Sequence, residues 1–208
     1  MRILLDFGHG ADDITNGKFS PIVTDIDDTT IYKNRFREGN FNRIVGNAIA
    51  DRLKELGYDV DIIVKEREDI PLKERVDRAN AICAKYGAKN CVYLSVHSNA
   101  AGSGSAWNNA RGFCVYVAKK SSQASKDLAK HIYNAAEVTG FKGNRAVPKE
   151  RYWTADFYVI KNTKCPAVLT ENLFYDNKED LKILTSEEGR KKIVDYHIAG
   201  LLNFLGKK

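Results

Sequence analysis

No apolar run in this sequence approaches the roughly 20 residues that a membrane-spanning helix needs, so no membrane insertion is expected. There is also no charged start followed by an apolar stretch and a small-residue cleavage site, so a Sec-type leader is not expected. The four cysteines, Cys83, Cys91, Cys114 and Cys165, include no C-x2-C or C-x4-C pair, which argues against a cysteine zinc knuckle. All but Cys83 fall in or beside predicted strands and read as reduced core thiols of a protein folded in a reducing compartment. Repeats, low-complexity tracts and linkers are missing as well. One domain over 1–208 is therefore expected, with 43% hydrophobic residues to build its core.

Positive charge is in modest excess, with a net +6 and a pI near 9.0. It is scattered apart from short pairs such as Lys119-Lys120, Lys191-Lys192 and Lys207-Lys208. A scattered excess suits a solvated surface with loose attraction to a polyanion such as an anionic cell wall. No nucleic-acid partner is expected.

Strand and helix patterns alternate along the chain. "RILLDF" reads as a first strand, and "NFNRIVGNAIADRLKELG" as a helix with Phe41, Ile44, Val45, Ala48, Ile49, Leu53 and Leu56 at helical spacing. "YDVDIIV" (58–64) is a strand, and "IPLKERVDRANAICAKYG" a helix opened by proline and closed by Gly87. "CVYLSVHSN" (91–99) and "GFCVYVA" (112–118) follow as strands, and 121–140 as a serine-capped helix. "FYVIKN" and "AVLTENLF" read as short strands, before a closing helix from about Ser186 to Leu205. Most of 10–37 and all of 99–112 read as loop. This alternation predicts an α/β fold, with a mainly parallel twisted sheet and helices on both faces.

Ligands of such sheets bind beyond the carboxyl ends of the strands. His9, His97 and Glu171 fall at three of those ends, and Glu38 stands just before the first helix. Two neutral imidazoles and one carboxylate make a three-ligand zinc site that leaves a fourth position for water. A further glutamate that is not a ligand can move the water's proton to a leaving nitrogen. Spacing leaves open which glutamate plays which part. Each residue also has an ordinary reading: a tight turn for His9 between two glycines, a dipole-favoured acid for Glu38, a solvated side chain for Glu171. His131 and His197, on predicted helices, read as structural.

"DFGHG", "REGNFN", "LSVHSNA" and "PAVLTENLFYDN", in that order, resemble the zinc-dependent N-acetylmuramoyl-L-alanine amidases of the amidase-3 type. "KEREDIPLKERVDRAN" is similar to the family's segment between its second strand and second helix, and the resemblance covers nearly the whole chain. It implies zinc held by His9, Glu38 and His97, with Glu171 as catalytic acid/base. The implied reaction is hydrolysis, in peptidoglycan, of the amide between the lactyl group of N-acetylmuramic acid and L-alanine. The family usually carries glycine two residues after that glutamate, where this chain has Leu173, so a different local path is expected there. "GKFSP" (17–21) resembles a feature of phage-type members. Together with the missing leader, it suggests an endolysin made in the cytoplasm that reaches the cell wall after release.

Three rivals have sequence grounds. Asp25-Ile26-Asp27-Asp28-Thr29 fits D-x-D-x-T, the nucleophile motif of haloacid-dehalogenase-type phosphatases, with Asp25 as the attacking residue. Only Ile22-Val23 precede it, Pro21 blocks a longer strand, and "YDNKED" is a poor stand-in for the late acids of that fold. A non-catalytic wall-binding module would have no need for both histidines and both glutamates. A metallocarboxypeptidase would need an H-x-x-E pair, which is absent. Trp107, Tyr152 and Trp153 read equally as groove lining or as packing under loops, and Arg67 and Arg75 as contacts for peptide carboxylates or as ordinary surface residues.

Overall fold

The computed structural model describes residues 1–11, 15, 17–144 and 146–206; the Lys207-Lys208 pair and part of the loop expected over 10–37 lie outside them. The expected alternation is present. Strand β1 (Arg2–Phe7) leads, after a two-strand hairpin of β2 (Ile31–Tyr32) and β3 (Arg35–Phe36), into helix α1 (Glu38–Glu55). Then come β4 (Asp59–Ile62), α2 (Leu72–Tyr86), β5 (Cys91–Asn99), β6 (Cys114–Val117) and α3 (Gln123–Val138). The chain closes with β7 (Trp153–Thr154), α4 (Tyr158–Asn162), β8 (Ala167–Phe174), α5 (Lys178–Leu184) and α6 (Glu187–Phe204).

Six strands form one sheet in the order β4-β1-β5-β8-β6-β7, parallel except where β6 runs against β8. Parallel strands covered on both sides should be mainly apolar, and β1, β5 and β8 begin so, turning polar only toward their carboxyl ends, from Asp6, Ser95 and Thr170 onward. Ile3, Leu5, Val92, Leu94 and Val168 face α1, α3 and α6, while Leu4, Tyr93 and Leu169 face α2 and α4. All four cysteines are buried and unpaired, as expected of core thiols.

Two elements depart from the sequence reading. "FYVIKN" is the helix α4, not a strand. Its adjacent residues Val159 and Ile160 are both buried against α2 and the sheet, which a strand's alternation would not allow. A short apolar run does not by itself distinguish the two conformations. Helix α5 was not expected, and the "YDNKED" considered for a phosphatase is its start. Asn177 caps it by accepting from Glu179 N and Asp180 N, and Glu179 and Asp180 fill the acid-favouring first turn.

His197 of α6 is structural. It has no solvent exposure; its Nδ1 donates to Ile193 O at 2.7 Å and its Nε2 lies 3.0 Å from Thr170 Oγ1. Burial pushes this imidazole down to about 4. The unfolded chain therefore takes up a proton near pH 6.5 that the folded chain refuses until about pH 4, so stability falls as pH drops across that window. The maximum effect is on the order of 3 kcal/mol. The stability advantage of the wild type over His197→Gln, read by urea denaturation, should shrink steadily from pH 6.5 to pH 4. An advantage constant across that range would refute the assignment.

Candidate metal centre

The centre lies at the carboxyl ends of β1, β5 and β8, as the strand pattern predicted. Register places His97 of β5 directly beside Glu171 of β8. His9 follows β1 in a left-handed conformation (φ 59°), and histidine is among the non-glycine residues that tolerate this region. Two glycines around it, Gly8 before it and Gly39 on α1, have steric work to do. A Cβ at Gly8 would fall on the His97 imidazole ring, and one at Gly39 would fall on the Gly10 carbonyl. Small residues at both places let the loop after β1 pass close to β5 and to α1.

Helix α1 holds that loop. Asn42 Nδ2 donates to Gly8 O at 3.0 Å, and Arg43 Nη1 donates to His9 O at 2.8 Å. Glu38 opens the same helix, where the dipole favours an anion. Its carboxylate is buried; Oε1 accepts from Ser98 N at 3.3 Å and lies 3.0 Å from His97 Nδ1 and 3.5 Å from His9 Nε2. Oε2 is buried without a hydrogen-bond partner among the described residues. One ligand atom from each of His9, Glu38 and His97 lies within 4.8 Å of the others, a grouping able to hold a metal ion. Atoms bound to a tetrahedral ion at about 2.0–2.1 Å sit about 3.3 Å apart, and the 3.0 and 3.5 Å separations bracket that spacing. The donor set fits zinc.

The electrostatics prepare these groups. Burial, against the pull of Glu38, holds His9 down to about 4. Burial would raise Glu38, but the two histidines outweigh it and keep the carboxyl below its ordinary range. A neutral imidazole and an ionised carboxylate are the states a metal ligand adopts. Burial would lower His97, yet its hydrogen bond to Glu38 lifts it in the metal-free chain. Glu171 is different: it lies beside the trio, its Oε2 is buried with no hydrogen-bond partner among the described residues, and burial pushes it up to about 7.

Several supporting residues escaped sequence reasoning. Asn172 Nδ2 donates to His97 O at 2.7 Å, and the Tyr196 hydroxyl donates to Asn172 Oδ1. The β5–β8 register slips between His97 and Asn99, and Leu173 takes up the slack with φ 65°. The left-handed path that glycine would follow is therefore kept, with Leu173 bearing a strain of about 1–2 kcal/mol. Burial of its side chain offsets this by roughly 2 kcal/mol. Lys18, read only within "GKFSP", places Nζ 3.9 Å from Glu38 Oε2.

Other candidates fall elsewhere. Asp25 is exposed in a loop outside any strand. Asp28 of the same motif accepts from Thr30 N at 2.9 Å and pairs with Arg190 of α6 at 2.9 Å, so the motif is an anchored turn. Trp153 packs near Tyr116 and Tyr133, and Trp107 lies under Lys178 Nζ. Arg75 is no contact for peptide carboxylates. It is buried beneath the centre, paired with Asp6 at 2.8 Å and donating to Phe7 O and Ile70 O, both at 2.7 Å.

Residues 3–203 match the N-acetylmuramoyl-L-alanine amidase family, and the chain belongs to it. The endolysin of Bacillus phage SPP1 is 31% identical over 153 residues, covering 73% of this chain and 52% of the phage protein. The chain thus spans about half the length of that relative. N-acetylmuramoyl-L-alanine amidase CwlM of Bacillus licheniformis is 26% identical over 97% of this chain and 67% of its own length. The crystal structure of the amidase Ami1 from Mycobacterium smegmatis shares the fold, with a TM-score of 0.79 at 20% identity over 99% of this chain and 97% of the other.

Removing one partner of a buried ion pair strands the other's charge, at about 3–5 kcal/mol. Arg75→Met should therefore lower the stability of the metal-free chain by that amount in urea denaturation. A loss under about 1 kcal/mol, the scale of an exposed pair, would show that the Asp6 charge is not confined as described.

Proposed function

We propose that the chain hydrolyses the amide joining N-acetylmuramic acid to L-alanine in peptidoglycan, acting as one catalytic domain over 1–208. In this reading His9, Glu38 and His97 hold a zinc ion, and Glu171 is the general acid/base. The observation that carries it is the convergence of two imidazoles and a buried carboxylate on one point, with a second, more basic carboxyl in register beside them.

An amide is a weak electrophile with a poor leaving group, so it needs help at both ends. Zinc bound there supplies the polarisation of the carbonyl and a more acidic water. Glu171 takes a proton as the water oxygen bonds to the carbonyl carbon. It returns that proton to the nitrogen as the carbon–nitrogen bond breaks, freeing the α-amine of L-alanine. A carboxyl raised to about 7 can do both near neutral pH. Asn172, through the His97 carbonyl, and Asn42 and Arg43, through the loop after β1, keep the groups facing each other. Among the described residues no helix is long and apolar enough to cross a membrane, which suits an enzyme that meets the cell wall as a soluble lysin.

Purified protein incubated with cell-wall sacculi should release new amino termini of L-alanine, and a chelator should stop the release. A different terminus, or new reducing sugar, would overturn the reading in favour of an endopeptidase or a glycosidase. Glu171→Ala should keep one zinc per chain and lose about 10²–10⁴-fold in turnover, whereas His97→Ala should lose both zinc and activity. Asp25→Asn should leave the amidase largely active; a phosphatase activity of the wild type that Asp25→Asn abolishes would revive that rival.

A further inference from the structure

We propose that Lys18 contacts the substrate directly, its ammonium donating a hydrogen bond to the scissile carbonyl oxygen as that oxygen becomes negatively charged. The inference rests on the amidase reading above and adds a residue to it.

The backbone around Lys18 is fixed from several sides. Glu38 N donates to Lys18 O at 3.2 Å and Ser20 N to Phe36 O at 3.1 Å, so residues 18–20 run as a strap along the entry to α1. Phe19 bridges to Arg37, and its ring lies under the Arg35 and Arg37 guanidinium groups at 4.9 and 5.1 Å. Tyr175 Oη donates to Gly17 O at 3.3 Å. The lysine side chain itself is 41% exposed. A held main chain with a free cationic tip describes a donor that can meet an incoming group without reorganising the loop.

The tip stands over the centre. Nζ is 3.9 Å from Glu38 Oε2, beyond hydrogen-bond length, and that oxygen has no hydrogen-bond partner among the described residues. The ammonium lies near enough for its charge to bear on His9, Glu38 and Glu171 alike. Two neutral imidazoles and one carboxylate around a dication leave a net charge of about +1. A second cation beside that charge is useful only when an anion comes between them. During amide hydrolysis such an anion forms: the water oxygen bonds to the carbonyl carbon, and the carbonyl π pair moves onto its oxygen. Lys18 donates to that oxygen without giving up its proton. When the pair returns, the carbon–nitrogen bond breaks and Glu171 protonates the nitrogen. Charge-assisted donors aimed at a developing oxyanion are among the largest contributions to such reactions.

The test uses the full chain loaded with zinc and a soluble muramyl peptide as substrate. Lys18→Met should retain one zinc per chain and lose about 100-fold in kcat, with KM changed little. Lys18→Arg, which keeps the charge, should stay within about tenfold of wild type. A phosphinate in place of the scissile amide, whose tetrahedral anion imitates the charged oxygen, should bind Lys18→Met about 100-fold more weakly by calorimetry. The uncleaved muramyl peptide should bind Glu171→Ala equally well with or without Lys18→Met.

A rise in KM with kcat intact would overturn the proposal, since Lys18 would then read a carboxylate elsewhere on the substrate. Loss of zinc from Lys18→Met would overturn it in favour of a structural role at Glu38, and unchanged kinetics and phosphinate affinity would make Lys18 a bystander. If the wild type cleaves the muramyl amide, any of these outcomes sinks this inference alone. If the wild type leaves that bond intact, the amidase reading falls, and this inference with it.

Discussion

A carboxylate with 1% of its surface exposed, at the first turn of α1, is the charge around which this site is organised. Glu38 is removed from water, yet His9 and His97 both lean on one of its oxygens and a backbone amide points at the same atom. A buried anion is expensive unless it is paired or bound to a metal. The surroundings serve that need: the glycines that let the chain approach and the left-handed turn that brings His9 to the carboxylate.

The same requirement explains why strain collects here. His9, in the loop after β1, and Leu173, in β8, flank β5 and both have positive φ; the first belongs to the centre and the second lies two residues from Glu171. Strained backbone persists where the surroundings over-determine it. Around Leu173 those surroundings are explicit: Ser98 Oγ donates to Asn172 O at 3.0 Å, and the Asn172 side chain links the His97 carbonyl to Tyr196. Below the sheet edge, Ser95 Oγ and Arg75 share the two oxygens of Asp6, which fixes the ends of β1 and β5 relative to one another.

Legibility in the sequence followed the range of the interactions involved. Strand ends and helix starts are local patterns, so the positions of His9, Glu38, His97 and Glu171 on one edge could be read directly, whereas which glutamate is ligand and which acid/base came only as an expectation from the family resemblance. Helix α5 was missed although its signal is local: Asn177 and the two acids after it form an ordinary N-terminal cap. Helix α4 was not readable, since five residues carry too little periodicity. Lys18 and Arg75 were hidden for another reason. Lys18 reaches the centre only because its strap pairs with residues 36–38, and Arg75 is buried only because Asp6, far away in sequence, waits for it under β5. Leu173 shows a third case: the substitution was visible, but whether the backbone path survived it was not.

The two outer strands of the sheet have a consequence of their own. At one margin β7 offers two residues, too few to template another chain. At the other, β4 carries Asp59 and Asp61, both paired with Arg2, so a newcomer would have to bury their charge. Short or charged margins are how open sheets avoid growing by addition of further copies. Neither margin of this sheet therefore offers a further copy a long, uncharged strand to pair with.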